Sequence, residues 1–212
     1  MKSLYSLILN DDLIAEVDRL AAKTGSNRSA TIDAILARYF GYETPEMRID
    51  KIFRRMEDWI RHETGLRLLN QPSQTISAAT GTLTYPYNPT MKYQVELYKS
   101  VDYALGELKV SSRSSNAKLL ALLDSFYDLW TRLERKHLGD IASTFGNGRY
   151  TRVFRIPSTK IDMEALGEML GAYIRGMDAV MQRYFASLDR LPDALPALEQ
   201  LYLKQLESTI LL

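Results

Sequence analysis

The sequence predicts a mainly α fold with a few short strands, and three features carry that prediction. Apolar residues recur at helical spacing over several long stretches, a charge-free segment rich in Thr, Ser, Gly and Pro interrupts them, and a Gly-Asn-Gly turn precedes a short alternating run. With 46% apolar and 25% charged residues in 212, the chain is too apolar to remain disordered and long enough to bury a core.

Residues 3–9 are short and apolar, include Tyr5 and Ile8, and suit a strand. Asn10-Asp11-Asp12 stops that run and offers a helix cap with acids in the first turn. Leu13, Val17 and Leu20 then mark a first helix that ends at Lys23-Thr24-Gly25. A second opens at Ser26-Asn27-Arg28-Ser29, carries Ile32, Ile35, Leu36 and Tyr39, and closes at Gly41. A third is expected from Met47 to about residue 69, with Ile49, Ile52, Phe53, Met56, Trp59 and Ile60 on one face.

Residues 71–90 read as a linker or hairpin, with strands at 82–87 and 92–98 around Pro86-Tyr87-Asn88-Pro89. Helices are expected again at 101–108 and 116–138. A strand is expected at 149–156 after Gly146-Asn147-Gly148, followed by two helices over 163–188 and 194–212. Trp59, Trp130, Phe126 and Phe185 are expected in the core or an oligomer interface, because aromatics at helical spacing usually pack.

The order strand, acidic cap, amphipathic helix, Gly, polar cap and second helix over residues 2–41 resembles the ribbon-helix-helix family, the MetJ, Arc and CopG class. The resemblance makes 1–41 a dimerisation and DNA-binding module, and the residue patterns give the rest of the plan: 46–70 as a connecting helix, 71–90 as linker or hairpin, and 91–212 as a mostly helical domain. It also implies an antiparallel ribbon in the major groove. Lys2, Leu4, Ser6 and Ile8 then form the base-facing side, with Leu4 and Ile8 standing where polar readers are usual. Asn27, Arg28 and Ser29 fall where the family holds a phosphate at a helix N-terminus. The plainer reading of Asn27 is an N-cap.

Sliding the motif by 88 positions gives a gapless second match over 92–127, with Tyr93, Val95 and Leu97 on Tyr5, Leu7 and Leu9, and Lys92, Gln94 and Glu96 on the exposed side. Amphipathic periodicity also produces such matches by chance. Arg149, Arg152 and Arg155, interleaved with Tyr150 and Phe154, form a further basic segment, readable as a backbone grip or as an edge strand blunted by cations. Lys92, Gln94, Arg149, Arg152 and Arg155 are therefore secondary candidates for DNA contact.

The net charge of +1 hides a polarised chain. Residues 91–160 carry twelve basic and seven acidic side chains, whereas 161–212 carry four and eight. No cysteine and only two histidines, His62 and His137, make a metal site or any other cofactor unexpected, and no phosphate loop or nucleophile elbow points to an enzyme. The apolar start is cut off by Asn10-Asp11-Asp12 before a signal-peptide core forms, and no apolar run is long enough for a membrane span, so a cytoplasmic protein is expected.

The expected function is a non-enzymatic homodimer that binds double-stranded DNA. The resemblance implies a bacterial, plasmid or phage transcriptional repressor, or a partition or conjugation accessory factor. Another protein, bound through the helical C-terminal part, is a further candidate partner. The alternative is a protein-binding scaffold or inhibitor that uses the N-terminal module only to dimerise.

Overall fold

The structure is a computed structural model that describes residues 4–62, 65–70, 73–100, 104–155 and 161–206. The chain forms two compact units, Met1–Met47 and Arg48–Leu212.

The first unit is a helix pair. Helix α1 (Asp11–Lys23) starts behind Asn10, whose side-chain oxygen accepts from the Asp12 N–H, and α2 (Arg28–Tyr39) starts behind Asn27, which accepts from the Ala30 N–H. Both helices end the same way. Gly25 and Gly41 adopt positive φ, and the N–H groups of Ser26 and Tyr42 reach back to Ala21 and Ala37 at 2.9 and 2.8 Å, which satisfies carbonyls left open at each C-terminus.

The N-terminal strand expected from the sequence does not form: Leu4–Asn10 carries no strand and every one of its side chains is exposed. A strand exists only within a ladder, and among the described residues no segment pairs with residues 4–10. The ribbon-helix-helix identification is therefore overturned. Lys2 lies outside the described residues.

In the second unit, α3 (Pro45–Arg61), capped by the Thr44 hydroxyl, buries Ile49, Ile52, Phe53, Met56 and Ile60. It stops well before residue 69 because Gly65 turns the chain into a strand. Six strands follow the order β1-β2-β3-β4-β6-β5, all antiparallel. They are β1 (Leu66–Leu68), β2 (Ile76–Thr82), β3 (Thr90–Leu97), β4 (Gly106–Ser112), β5 (Ala142–Gly146) and β6 (Arg149–Phe154). A mixed α/β fold with an open six-stranded antiparallel sheet thus replaces the mainly α fold with a few short strands.

Strand β4 also removes the second ribbon-helix-helix copy, which required a helix where Gly106–Ser112 lies. Pairing with β3 on one side and β6 on the other supplies the ladder, and Leu108 and Val110 alternate inward against Glu107 and Lys109. Strands β5 and β6 form a two-residue hairpin at Asn147-Gly148, both with positive φ as a type I′ turn demands.

Helices α4 (Ala117–Leu138), α5 (Met163–Phe185) and α6 (Leu191–Leu206) complete the unit. Side chains of α4 and α5 meet the sheet face that carries Tyr93, Tyr150 and Phe154: Tyr127 stacks on Tyr150, Tyr173 meets Phe154 edge-on, and the Tyr93 hydroxyl donates to Asp178. Three glycines let α5 approach its neighbours. A Cβ at Gly167 would lie 2.4 Å from the Ile52 carbonyl oxygen, one at Gly171 3.2 Å from the Trp59 Cβ, and one at Gly176 2.9 Å from the Gln205 Cβ. Among the described residues no helix is long and apolar enough to cross a membrane.

Candidate functional site

Three places in the molecule bear on function: the surface of the helix pair, the open face of the sheet, and a charged network inside the core.

The helix pair buries little of itself, namely Val17, Ala21, Thr31, Ala37 and, just after α2, Thr44. Leu4, Tyr5, Leu7, Ile8, Leu9, Leu13, Leu20, Ile35, Leu36, Tyr39, Phe40 and Tyr42 are all exposed, Leu4 and Ile8 almost completely. The stripe that should form this unit's core therefore points to solvent. Its four exposed aromatics, Tyr5, Tyr39, Phe40 and Tyr42, leave roughly 600 Å² of side chain in water, at about 200 Å² for a whole aromatic side chain.

The predicted phosphate site at the start of α2 is built as expected locally, but its charge is engaged. Asn27 is the N-cap, Ser29 is exposed, and the Arg28 guanidinium forms a two-bond pair with Asp18 at 2.8 and 2.6 Å. That pairing holds the Asp18 carboxyl below the usual carboxylate range, the hydrogen bond from Arg28 being the main cause. Residues 4–47 carry seven acids and four bases, so the unit as a whole is acidic. Ser6 is exposed beside Ile8, with no bonded partner among the described residues.

On the sheet, alternation sends Tyr93, Val95, Leu108, Val110, Tyr150 and Phe154 to the helices and leaves the other face open. The register lines up Arg67, Thr80, Lys92, Ser111 and Arg149 across five strands of that open face. The next row is Ala78, Gln94, Lys109, Thr151 and Thr144, and the one after it Ile76, Glu96, Glu107, Val153 and Ala142. Lys92 donates to Gln94 at 2.8 Å, while Lys109 is neutralised by Glu107 and, at 3.6 Å, by Glu96. Arg67 and Arg149 are exposed and unpaired among the described residues. One end of the face is cationic and the other is not.

Of the secondary candidates, the fold therefore brings together Lys92, Gln94 and Arg149 and adds Arg67, which sequence reasoning missed. Arg155 lies just past β6, exposed, 3.8 Å from Asp140. Arg152 leaves the set. It alternates inward with Tyr150 and Phe154, is 2% exposed, and cannot reach a phosphate backbone.

Arg152 instead sits in the core, 2.8 Å from Glu134 of α4, with its guanidinium over the Tyr173 ring at 4.7 Å. Glu134 accepts from the Tyr150 and Tyr173 hydroxyls at 2.7 and 2.8 Å, and the Trp130 indole N–H donates to the Tyr173 oxygen at 3.0 Å. Burial pushes the Glu134 carboxyl upward, opposed by Arg152 and the two tyrosines. Glu134 is sealed from solvent and ties α4 to β6 and α5 through Arg152, Tyr150 and Tyr173. A pocket beside it, lined by Trp130, Leu138, Tyr173, Gly176, Tyr202, Gln205 and Leu206, has about 240 Å³ of empty volume counted with the solvent at its mouth. It admits about one water molecule, too little for an ordinary ligand. No group of metal-ligating side chains occurs among the described residues.

Comparison with known protein families, with curated proteins and with solved structures finds no match to this chain.

Proposed function

We propose that the chain works as a non-enzymatic homodimer that binds double-stranded DNA. The observation that carries this reading is the apolar surface of the N-terminal unit. A helix pair that keeps Leu13, Leu20, Ile35, Leu36, Tyr39 and Phe40 in water has half a core, and a second copy of the same surface is a self-complementary way to complete it. The dimer in this reading rests on the exposed helix faces and the segment before them.

Support for DNA comes from the larger unit. Residues 91–160 carry twelve bases against seven acids, and with the buried Arg152–Glu134 pair set aside an excess of cations remains on a unit whose open sheet face is cationic at one end; cations provide most of the affinity for a phosphate backbone. The finer roles of promoter repression, partition or conjugation rested on the overturned family resemblance and go with it. A titration of random duplex against the full chain tests the reading. Affinity should fall log-linearly and steeply with salt, and a folded chain that binds no duplex at low salt contradicts it.

One observation favours a second reading, a scaffold that dimerises and docks another protein. The N-terminal unit combines its apolar surface with an excess of acids, a poor match to DNA. A stable dimer with no salt-sensitive affinity for duplex would select that alternative.

A further inference from the structure

We infer that the open face of the sheet is the DNA-contacting surface, and that it holds one phosphate backbone of a duplex along the row Arg67, Thr80, Lys92, Ser111 and Arg149. The inference rests on the DNA-binding reading and names the row of the sheet that makes the contact.

The register sets the geometry. Arg67, Lys92 and Arg149 lie on every second strand of the five, so neighbouring cations stand about 10 Å apart and the whole row spans about 19 Å at the usual strand separation. Hydroxyls of Thr80 and Ser111 fill the strands between them; Thr80 donates to the Arg67 carbonyl at 3.5 Å, so the donors the row offers an anionic oxygen are Arg67, Lys92, Ser111 and Arg149. No acid interrupts this row.

Charge orients the occupant. Two rows away, Glu96 and Glu107 stand side by side across the β3–β4 pair and cancel Lys109. A backbone running along the strands would pass from Lys92 onto Glu96, whereas one running across them at the cationic end meets three positive charges and no negative one. Chemistry sets its kind. Among the described residues no strand residue of the open face is aromatic, and Tyr98, just past β3, stands with Glu96 and Glu107 at the acidic end, so the cationic row itself offers no platform on which unpaired bases could stack. Duplex DNA, with bases turned inward and phosphates outward, suits a flat row of cations and hydroxyls. Contacts of this type position the protein and do not read sequence.

The test is anisotropy of a labelled random duplex titrated with the full chain at several salt concentrations, comparing wild type with Arg67→Gln/Lys92→Gln/Arg149→Gln. The wild type should show a steep log-linear salt dependence, and the triple variant should lower that slope by roughly two to three, with affinity lost equally for unrelated sequences. Wild-type binding with an unchanged slope in the triple variant overturns the sheet assignment and leaves the DNA reading intact. A wild type that ignores duplex at low salt overturns both. Tighter binding of a single strand of equal length overturns the choice of duplex. Should the triple variant lose helicity, Glu96→Gln/Glu107→Gln decides: it frees Lys109 and should tighten binding, and no change in affinity overturns the inference.

Discussion

The two units differ in how completely they satisfy themselves. The larger buries one continuous core from α3 through α6 and even sinks an ion pair, Arg152–Glu134, beneath a ring of hydrogen-bonding tyrosines. Among its described residues the N-terminal unit buries five small or polar-edged side chains and leaves its leucines, its aromatics, Ile8 and Ile35 in water. Both are well capped, with Asn10, Asn27, Asn116 and Asp162 each accepting a helix N–H. Local signals are therefore equally good in the two units. What separates them is the apolar surface each removes from water, the dominant favourable contribution to folding.

Substitutions can break that contrast, and the largest effect is expected in the core network. Arg152→Met leaves Glu134 buried without its cation and should cost about 3–5 kcal/mol in urea unfolding. Arg28→Ala, which breaks the exposed Asp18 pair, should leave the midpoint unchanged. Next is Gly167→Ala, whose added methyl meets the Ile52 carbonyl and forces α5 off α3, at about 1–3 kcal/mol. On the other side of the comparison, Asn27→Ala removes the α2 cap and should cost about 1 kcal/mol. That loss should depend on protein concentration if the N-terminal unit folds with its partner.

The smallest effect is one of pH. Burial raises the Asp178 carboxyl above its ordinary value of 3.8, with hydrogen bonds from Tyr93 and Gln182 opposing. The folded state then holds a proton that the unfolded chain has released. This group's contribution to stability is complete below 3.8 and is lost as pH rises through the raised value. Asp178→Asn should remove that component, so its unfolding midpoint, compared with wild type, should gain with rising pH. A difference that stays flat across the range contradicts the assignment.

Helix ends and tight turns were legible in the sequence because they depend on neighbours in the chain. Asn27 and Gly41 around α2 and Asn147-Gly148 before β6 are examples. The sheet was not. Strand β2 reads Ile-Ser-Ala-Ala-Thr-Gly-Thr, too small in its side chains to show a buried face, and its pairing with β3 is what defines it. In β4, Leu105 and Leu108 mimic a helical interval, although the alternation Glu107, Leu108, Lys109, Val110 was available as a strand signal. The N-terminal run failed for the opposite reason: it has strand-like residues and no ladder to join.

The same logic explains the site residues. Alternation between Tyr150 and Phe154 could have placed Arg152 inward, but nothing local announces Glu134 on α4 as its partner. Arg67 joins Lys92 through two strand pairings and Arg149 through four, so its place in the row follows from topology alone.

The account depends most on the N-terminal unit being half of a two-chain core. The mass of the full chain at micromolar concentration, measured by sedimentation equilibrium, tests this against Tyr39→Ser/Phe40→Ser/Tyr42→Ser. The account predicts a dimer for the wild type and a monomer for the variant, with the larger unit's unfolding unchanged. A wild-type chain that sediments as a folded monomer would contradict it.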